Sequence, residues 1–167
     1  MPWPERRAAL QADDTFSLSG RVGVAADGQG FNASLRWEQE GARSRVALDG
    51  PFGVGGALIE SDGSELTLTD ARGRRVDGEA ARLEIERRLG FELPLAALRY
   101  WVRGVPVPDT PAAETLDAAA ARLATLEQDG WRIEFTAYAP TASVELPQRL
   151  TAQREGTRVR MVIDRWE

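Results

Sequence analysis

The chain contains no cysteine, no histidine and no lysine. Each absence removes a class of chemistry. Without cysteine there is no disulfide framework, thiolate nucleophile or thiolate-bound metal. Without histidine there is no Ser-His-Asp or Cys-His arrangement and no imidazole metal site. Without lysine there is no Schiff base and no P-loop lysine. Only oxygen ligands remain for a metal, which would favour calcium or magnesium. We expect no metal site, no cofactor and no catalytic residue. Long apolar runs are missing too: no stretch of ~18 residues is apolar enough to span a bilayer as a helix. The start, Met1-Pro2-Trp3-Pro4-Glu5-Arg6-Arg7, is polar and interrupted by proline, unlike a signal peptide.

What is present is ordinary for a soluble domain. The 167 residues are 43% hydrophobic and 28% charged, close to one domain's worth of chain. All 21 cations are arginines against 26 acidic residues, a net charge of −5 that argues against nucleic-acid binding. Residues 1–15 read as an N-terminal arm, with a short helix or disorder over 6–14, and 16–167 as a single domain.

Regular patterning begins at Phe16. Phe16, Leu18, Val22 and Val24 share one parity, and Phe31, Ala33, Leu35 and Trp37 share another beyond Asp27-Gly28-Gln29-Gly30. Ser44, Val46 and Leu48 follow the turn at Glu40-Gly41. Period-two alternation of this kind predicts half-buried strands, here an antiparallel meander. Further strands are expected at 57–60, around Leu66 and Leu68, and near 74–76. The period then changes. Ala81, Ile85 and Leu89 recur every four residues and Gly90 follows, predicting a helix over 79–89. Pro94 suits the first residue of a second helix, with Leu95, Leu98, Trp101 and Val102 as its apolar stripe. Asp129-Gly130 predicts a hairpin between 122–128 and 131–138, and Glu155-Gly156 another between 146–153 and 157–166. Residues 112–121 stay open. Many strands with short turns and one helical block indicate an α+β fold. About ten strands tend to curl, with helices over the open side enclosing either a packed core or an apolar cavity.

Two features point toward function. Gly50-Pro51-Phe52-Gly53-Val54-Gly55-Gly56 places a large apolar residue among prolines and glycines, where polar turn residues are usual. Phe52 either projects toward a membrane or partner or folds back into the core. Gly53, Gly55 and Gly56 have no helix behind them, so they are no phosphate cradle. Second, Leu35, Trp37, Val46, Leu66, Leu98, Trp101, Ile133 and Phe135 would converge if the sheet curls around the second helix. A solid core or an apolar ligand cavity would follow. Carboxylate pairs such as Glu38 and Glu40 sit among arginines and read as a solvated face.

The ordered pieces Gly20-Arg21, Trp37 with Gln39, Gly50-Pro51-Phe52-Gly53, Gly90-Phe91-Glu92-Leu93-Pro94-Leu95, Leu98 with Trp101, Gly104-Val105-Pro106, Gln128-Asp129-Gly130-Trp131, Leu146-Pro147 and Ile163-Asp164-Arg165-Trp166 resemble the LolB family of outer-membrane lipoprotein receptors. They run in order over roughly residues 16–166, nearly the whole chain. The resemblance implies an incomplete, strongly curved antiparallel β-barrel of about 10–11 strands, with helices capping an apolar cavity. It implies that triacylated lipoproteins arrive from a LolA-like periplasmic carrier and pass to the inner leaflet of the outer membrane. It also implies an exposed apolar residue, here Phe52 with Pro51, Gly53 and Val54, that enters the bilayer. Members of the family are lipid-anchored through an N-terminal cysteine that this stretch does not carry, so a truncated form is expected. Competing expectations are a LolA-like soluble carrier of another apolar ligand, a carboxylate-only enzyme and a solid-core partner-binding domain. A monomer is expected.

Overall fold

The computed structural model describes residues 1–50 and 56–167. Eleven strands form one antiparallel sheet in the order β6-β5-β4-β3-β2-β1-β11-β10-β9-β8-β7. The sheet is curved but does not close, because β6 and β7 stay unpaired to each other. At the centre lie β1 (Thr15–Ala26), β2 (Gln29–Glu40), β10 (Glu145–Arg154) and β11 (Thr157–Trp166). On one side follow β3 (Arg43–Asp49), β4 (Gly56–Ser61), β5 (Leu66–Asp70) and β6 (Arg75–Asp77). On the other lie β9 (Trp131–Pro140), β8 (Leu123–Gln128) and β7 (Ala113–Leu116). Residues 112–121, open from the sequence, supply β7 and a turn in which the Ala120 amide bonds to the Asp117 carbonyl at 2.8 Å.

Parity sets the two faces. Leu18 pairs with Trp37, Trp37 with Val46 and Val46 with Ile59, so one apolar row crosses four strands on the inner face. Gly20 sits at the bulge where Asp164 is skipped between Arg165 and Ile163. A Cβ at Gly20 would lie 2.1 Å from the Val162 carbonyl oxygen, so only glycine fits this close approach.

Helix α2 (Gly78–Leu89) lays Ala81, Ile85 and Leu89 inward and packs over β5 and β6. Gly90 ends it in the left-handed conformation at φ 87°. Helix α3 (Leu95–Trp101) starts one residue later than expected, with Pro94 capping it rather than opening it. The wholly buried Trp101 donates from Nε1 to Gln128 Oε1 at 2.8 Å. Gln128 also accepts from the Val107 amide at 2.9 Å and donates to the carbonyls of Val107 and Thr110. A buried amide satisfied on both ends fixes the loop after α3 onto β8.

Residues 3–12 of the N-terminal arm form helix α1 (Trp3–Ala12), which packs on the sheet through Trp3, Arg6 and Leu10. Arg7 and Trp3 bind Glu114 of β7. Arg6 donates to the Glu145 carbonyl and lies over the Tyr138 ring at 5.6 Å. Behind α3, the buried Arg103 holds the end of α1 by donating to the Asp13 carbonyl at 2.6 Å and to its carboxylate at 2.9 Å.

Ionisation sets the pH range of the fold. Burial pushes the Tyr138 phenol above the ordinary tyrosine range, against the opposing charges of Arg6 and Arg122. Its contribution is therefore present below the unfolded pKa of ~10 and lost as pH rises past it. The Arg87 and Arg88 guanidinium groups hold the Glu84 carboxyl at about 2. The Glu65 and Ser64 amides, with the Ser64 hydroxyl, hold Asp62 at about 2. Depressed carboxylates stabilise above their unfolded values of ~4 and lose this as pH falls toward 2. With no histidine or cysteine between these limits, denaturation midpoints are expected to stay level from about pH 5 to 9. They should drop below pH 4, and a histidine-like step near pH 6.5 would contradict this.

Candidate functional site

One cavity lies between the inner face of the sheet and the α2–α3 link. Its walls are apolar throughout. The floor is Val22 and Val24 of β1, Phe31, Leu35 and Trp37 of β2, Val46 and Leu48 of β3 and Ile59 of β4. Val159 and Met161 of β11, Ala152 of β10 and Trp131 of β9 close the far side. The roof is Leu89, Phe91, Leu93, Pro94, Leu95 and Leu98. These come from the end of α2, the link and the start of α3. The register explains the floor: Val24 pairs with both Phe31 and Val159, and Val22 with both Ala33 and Met161.

One polar anchor, Gln39, stands behind this wall. Trp37 turns its Nε1 to Gln39 Oε1 at 2.9 Å. Gln39 is buried, accepts from the Ser44 hydroxyl at 2.6 Å and donates to the Gly41 carbonyl at 2.9 Å. The indole N–H is thus satisfied away from the cavity, leaving its ring to the wall. On the opposite wall, Phe91 meets Trp131 edge-on with centroids 5.8 Å apart.

The volume is about 70 Å³. An apolar cavity of roughly 150 Å³ admits one benzene. The described space is about half of that. Between α2 and α3 the link has no helix or strand of its own and is held down by Phe91, Leu93 and Pro94.

Of the residues expected to line a cavity, Leu35, Trp37, Val46 and Leu98 meet in this wall. The others lie apart from it. Leu66 is half-buried at the start of β5, and Trp101 is buried behind α3. Ile133 is sealed between Leu126 and Ala152, and Phe135 stands beside Tyr138. The roof residues Leu89, Phe91 and Leu93 were not expected. Their signal was Gly90-Phe91-Glu92-Leu93-Pro94, an apolar alternation in a connection too short to be either element. The loop of Pro51, Phe52, Gly53 and Val54 lies outside the described residues. Its roots are described: β3 ends at Asp49, which pairs with Gly56 of β4. Among the described residues no cluster of acidic side chains could hold a metal ion, and no helix is long and apolar enough to cross a membrane.

The open sheet with helices across one face resembles the folds of solved LolA superfamily proteins. A LolA superfamily protein from Nitrosomonas europaea matches with a TM-score of 0.62 at 10% identity, covering 100% of this chain and 93% of that one. An outer membrane lipoprotein-sorting protein domain from Vibrio parahaemolyticus matches at 0.60 and 8%, covering 98% and 89%. Sequence narrows the class. Residues 14–166 match the family model described as outer membrane lipoprotein LolB. The outer-membrane lipoprotein LolB of Pseudomonas paraeruginosa is 35% identical over 165 residues, 99% of this chain and 80% of that protein. Its counterpart in Halorhodospira halophila is 33% identical over 162 residues, 97% and 78%. The chain belongs to the LolB family. Its role is lipoprotein localisation at the outer membrane of Gram-negative bacteria, and it is not an enzyme.

Proposed function

We propose that this chain receives triacylated lipoproteins from a LolA-like periplasmic carrier, shelters their acyl chains under the α2–α3 link and delivers them to the outer membrane. The observation that carries this reading is the wholly apolar cavity under a link that has no helix or strand of its own. Acyl burial is worth ~0.8 kcal/mol per CH₂, so three chains carry tens of kcal/mol. Release into water is prohibitive on that scale, and cargo must pass from one covered site to the next. No nucleotide is needed if each recipient binds more favourably than the last.

Delivery falls to Phe52. One phenylalanine entering a bilayer contributes ~1.5–3 kcal/mol, a partition of roughly 10–150-fold. That suffices to touch a membrane and not to anchor a protein. The test uses a carrier–lipoprotein complex, this chain and liposomes, followed by gel filtration and flotation. Wild type is expected to take the lipoprotein and deliver it. Phe52→Glu is expected to take it and keep it, with delivery reduced at least tenfold. Failure of wild type to take cargo from the carrier overturns the handover.

A further inference from the structure

The outer face of the sheet carries an arginine array that no other part of the fold employs. β1 and β11 occupy the sixth and seventh places of eleven, so they form the crest of the convex face. The ladder aligns Ser34, Arg21, Val162 and Arg149 across β2, β1, β11 and β10. The next rows outward are Gly23, Arg160 and Thr151, then Ala25, Arg158 and Gln153. Arg149, Arg158 and Arg160 are exposed, and among the described residues none makes an ion pair. Arg21 is exposed and pairs with Asp164 at 3.1 Å. Of the nearby acids, Glu127 and Glu134 are engaged by Arg132 at 2.9 and 3.3 Å, and Asp49 stands at the far end of the Arg21 row, on β3. In a chain of net charge −5, the crest is therefore a cationic island.

We propose that this crest binds the headgroup phosphates of an anionic lipid bilayer and orients the molecule for delivery; the inference rests on the membrane reading above. Two observations favour lipid over a protein partner. The three free arginines rise from neighbouring small or polar residues, Gly23, Ala25 and Thr151, on an open face. A convex crest meets a flat surface at its centre, where these arginines stand. The row of Arg21 and Arg149 also continues through Ser34 into Asp49, where β3 ends. A shallow groove lined by Arg21, Ser34, Asp49, Gly50, Arg160 and Val162 joins the array to the root of the Phe52 loop.

Each arginine near an anionic membrane contributes about fivefold in partition, so three contribute about a hundredfold at low salt. The test is flotation of the cargo-free chain with vesicles of phosphatidylethanolamine alone or with about a third phosphatidylglycerol. Wild type is expected to prefer the anionic vesicles, and the preference should vanish in ~0.5 M salt. The triple variant Arg149→Gln, Arg158→Gln, Arg160→Gln should lose most of it. All three side chains are exposed, so thermal melting should match wild type and exclude misfolding. Phe52→Glu should weaken binding to both vesicles and keep the preference. Loss of preference in the triple variant supports the crest even if Phe52→Glu has no effect, which would overturn only the loop. An unchanged preference in the triple variant overturns the crest. Normal vesicle binding with failed cargo capture from the carrier also overturns it, and assigns the array to an acidic protein surface.

Discussion

Tying the α2–α3 link to the sheet is expected to abolish cargo uptake. A Cβ built at Gly90 lies 3.0 Å from the Ala26 Cβ, at the end of β1 beside the cavity. Disulfides span Cβ atoms ~3.5–4.5 Å apart, so Ala26→Cys with Gly90→Cys needs only a small separation of the two segments. Gly90 has φ 87°, and a cysteine there costs about 1–2 kcal/mol of strain, tolerable for a domain of ordinary stability. The chain has no other cysteine to mispair. In the oxidised variant the roof over the 70 Å³ cavity is fixed, and no acylated cargo should transfer from the carrier. Reduction should restore transfer. Each single variant should transfer under both conditions. Uptake by the oxidised double variant at the wild-type rate would mean that acyl chains enter elsewhere.

Trp101→Ala is expected to cost about 3–5 kcal/mol of stability and to lower the melting temperature by roughly 6–20 °C. Trp101 is wholly buried, stands 6.3 Å from the Trp131 ring and donates to Gln128. Its removal empties a space behind α3 and leaves one lone pair of Gln128 Oε1 without its donor. Gln128 keeps its bonds to residues 107 and 110, so Trp101→Phe should cost far less, about 1 kcal/mol or so for the hydrogen bond. Denaturant titration separates the two. A loss below 1 kcal/mol for Trp101→Ala would show that this region is not packed as described.

Much of this architecture was legible because period-two patterning is a local signal. β1, β2 and β3 show their faces directly in Phe16–Val24, Phe31–Trp37 and Ser44–Leu48, and the Asp-Gly turns fix the hairpins. Helix α2 declares itself through Ala81, Ile85 and Leu89. Helix α1 was less legible. It buries only Trp3, Arg6 and Leu10, and it is held by Arg6 with Tyr138 and by Asp13 with Arg103, partners distant in the chain. The cavity was legible only in part for a related reason. Parity says that Trp37 and Ile133 both face inward, but not what stands opposite them. Trp37 faces the link, whereas Ile133 is flanked by Leu126 and Ala152. The middle of the roof escaped periodicity, since Phe91 and Leu93 belong to no regular element.

The most direct test of the account is where the acyl chains go. A photoreactive phenylalanine analogue is placed at Phe91, in the roof, or at Phe135, beside Tyr138 outside the cavity wall. Each protein is loaded from the carrier with lipoprotein bearing labelled acyl chains and then irradiated. The account predicts labelled adducts from position 91 and none from position 135. Adducts from 135 without any from 91 would contradict it and place the cargo site under α1 instead.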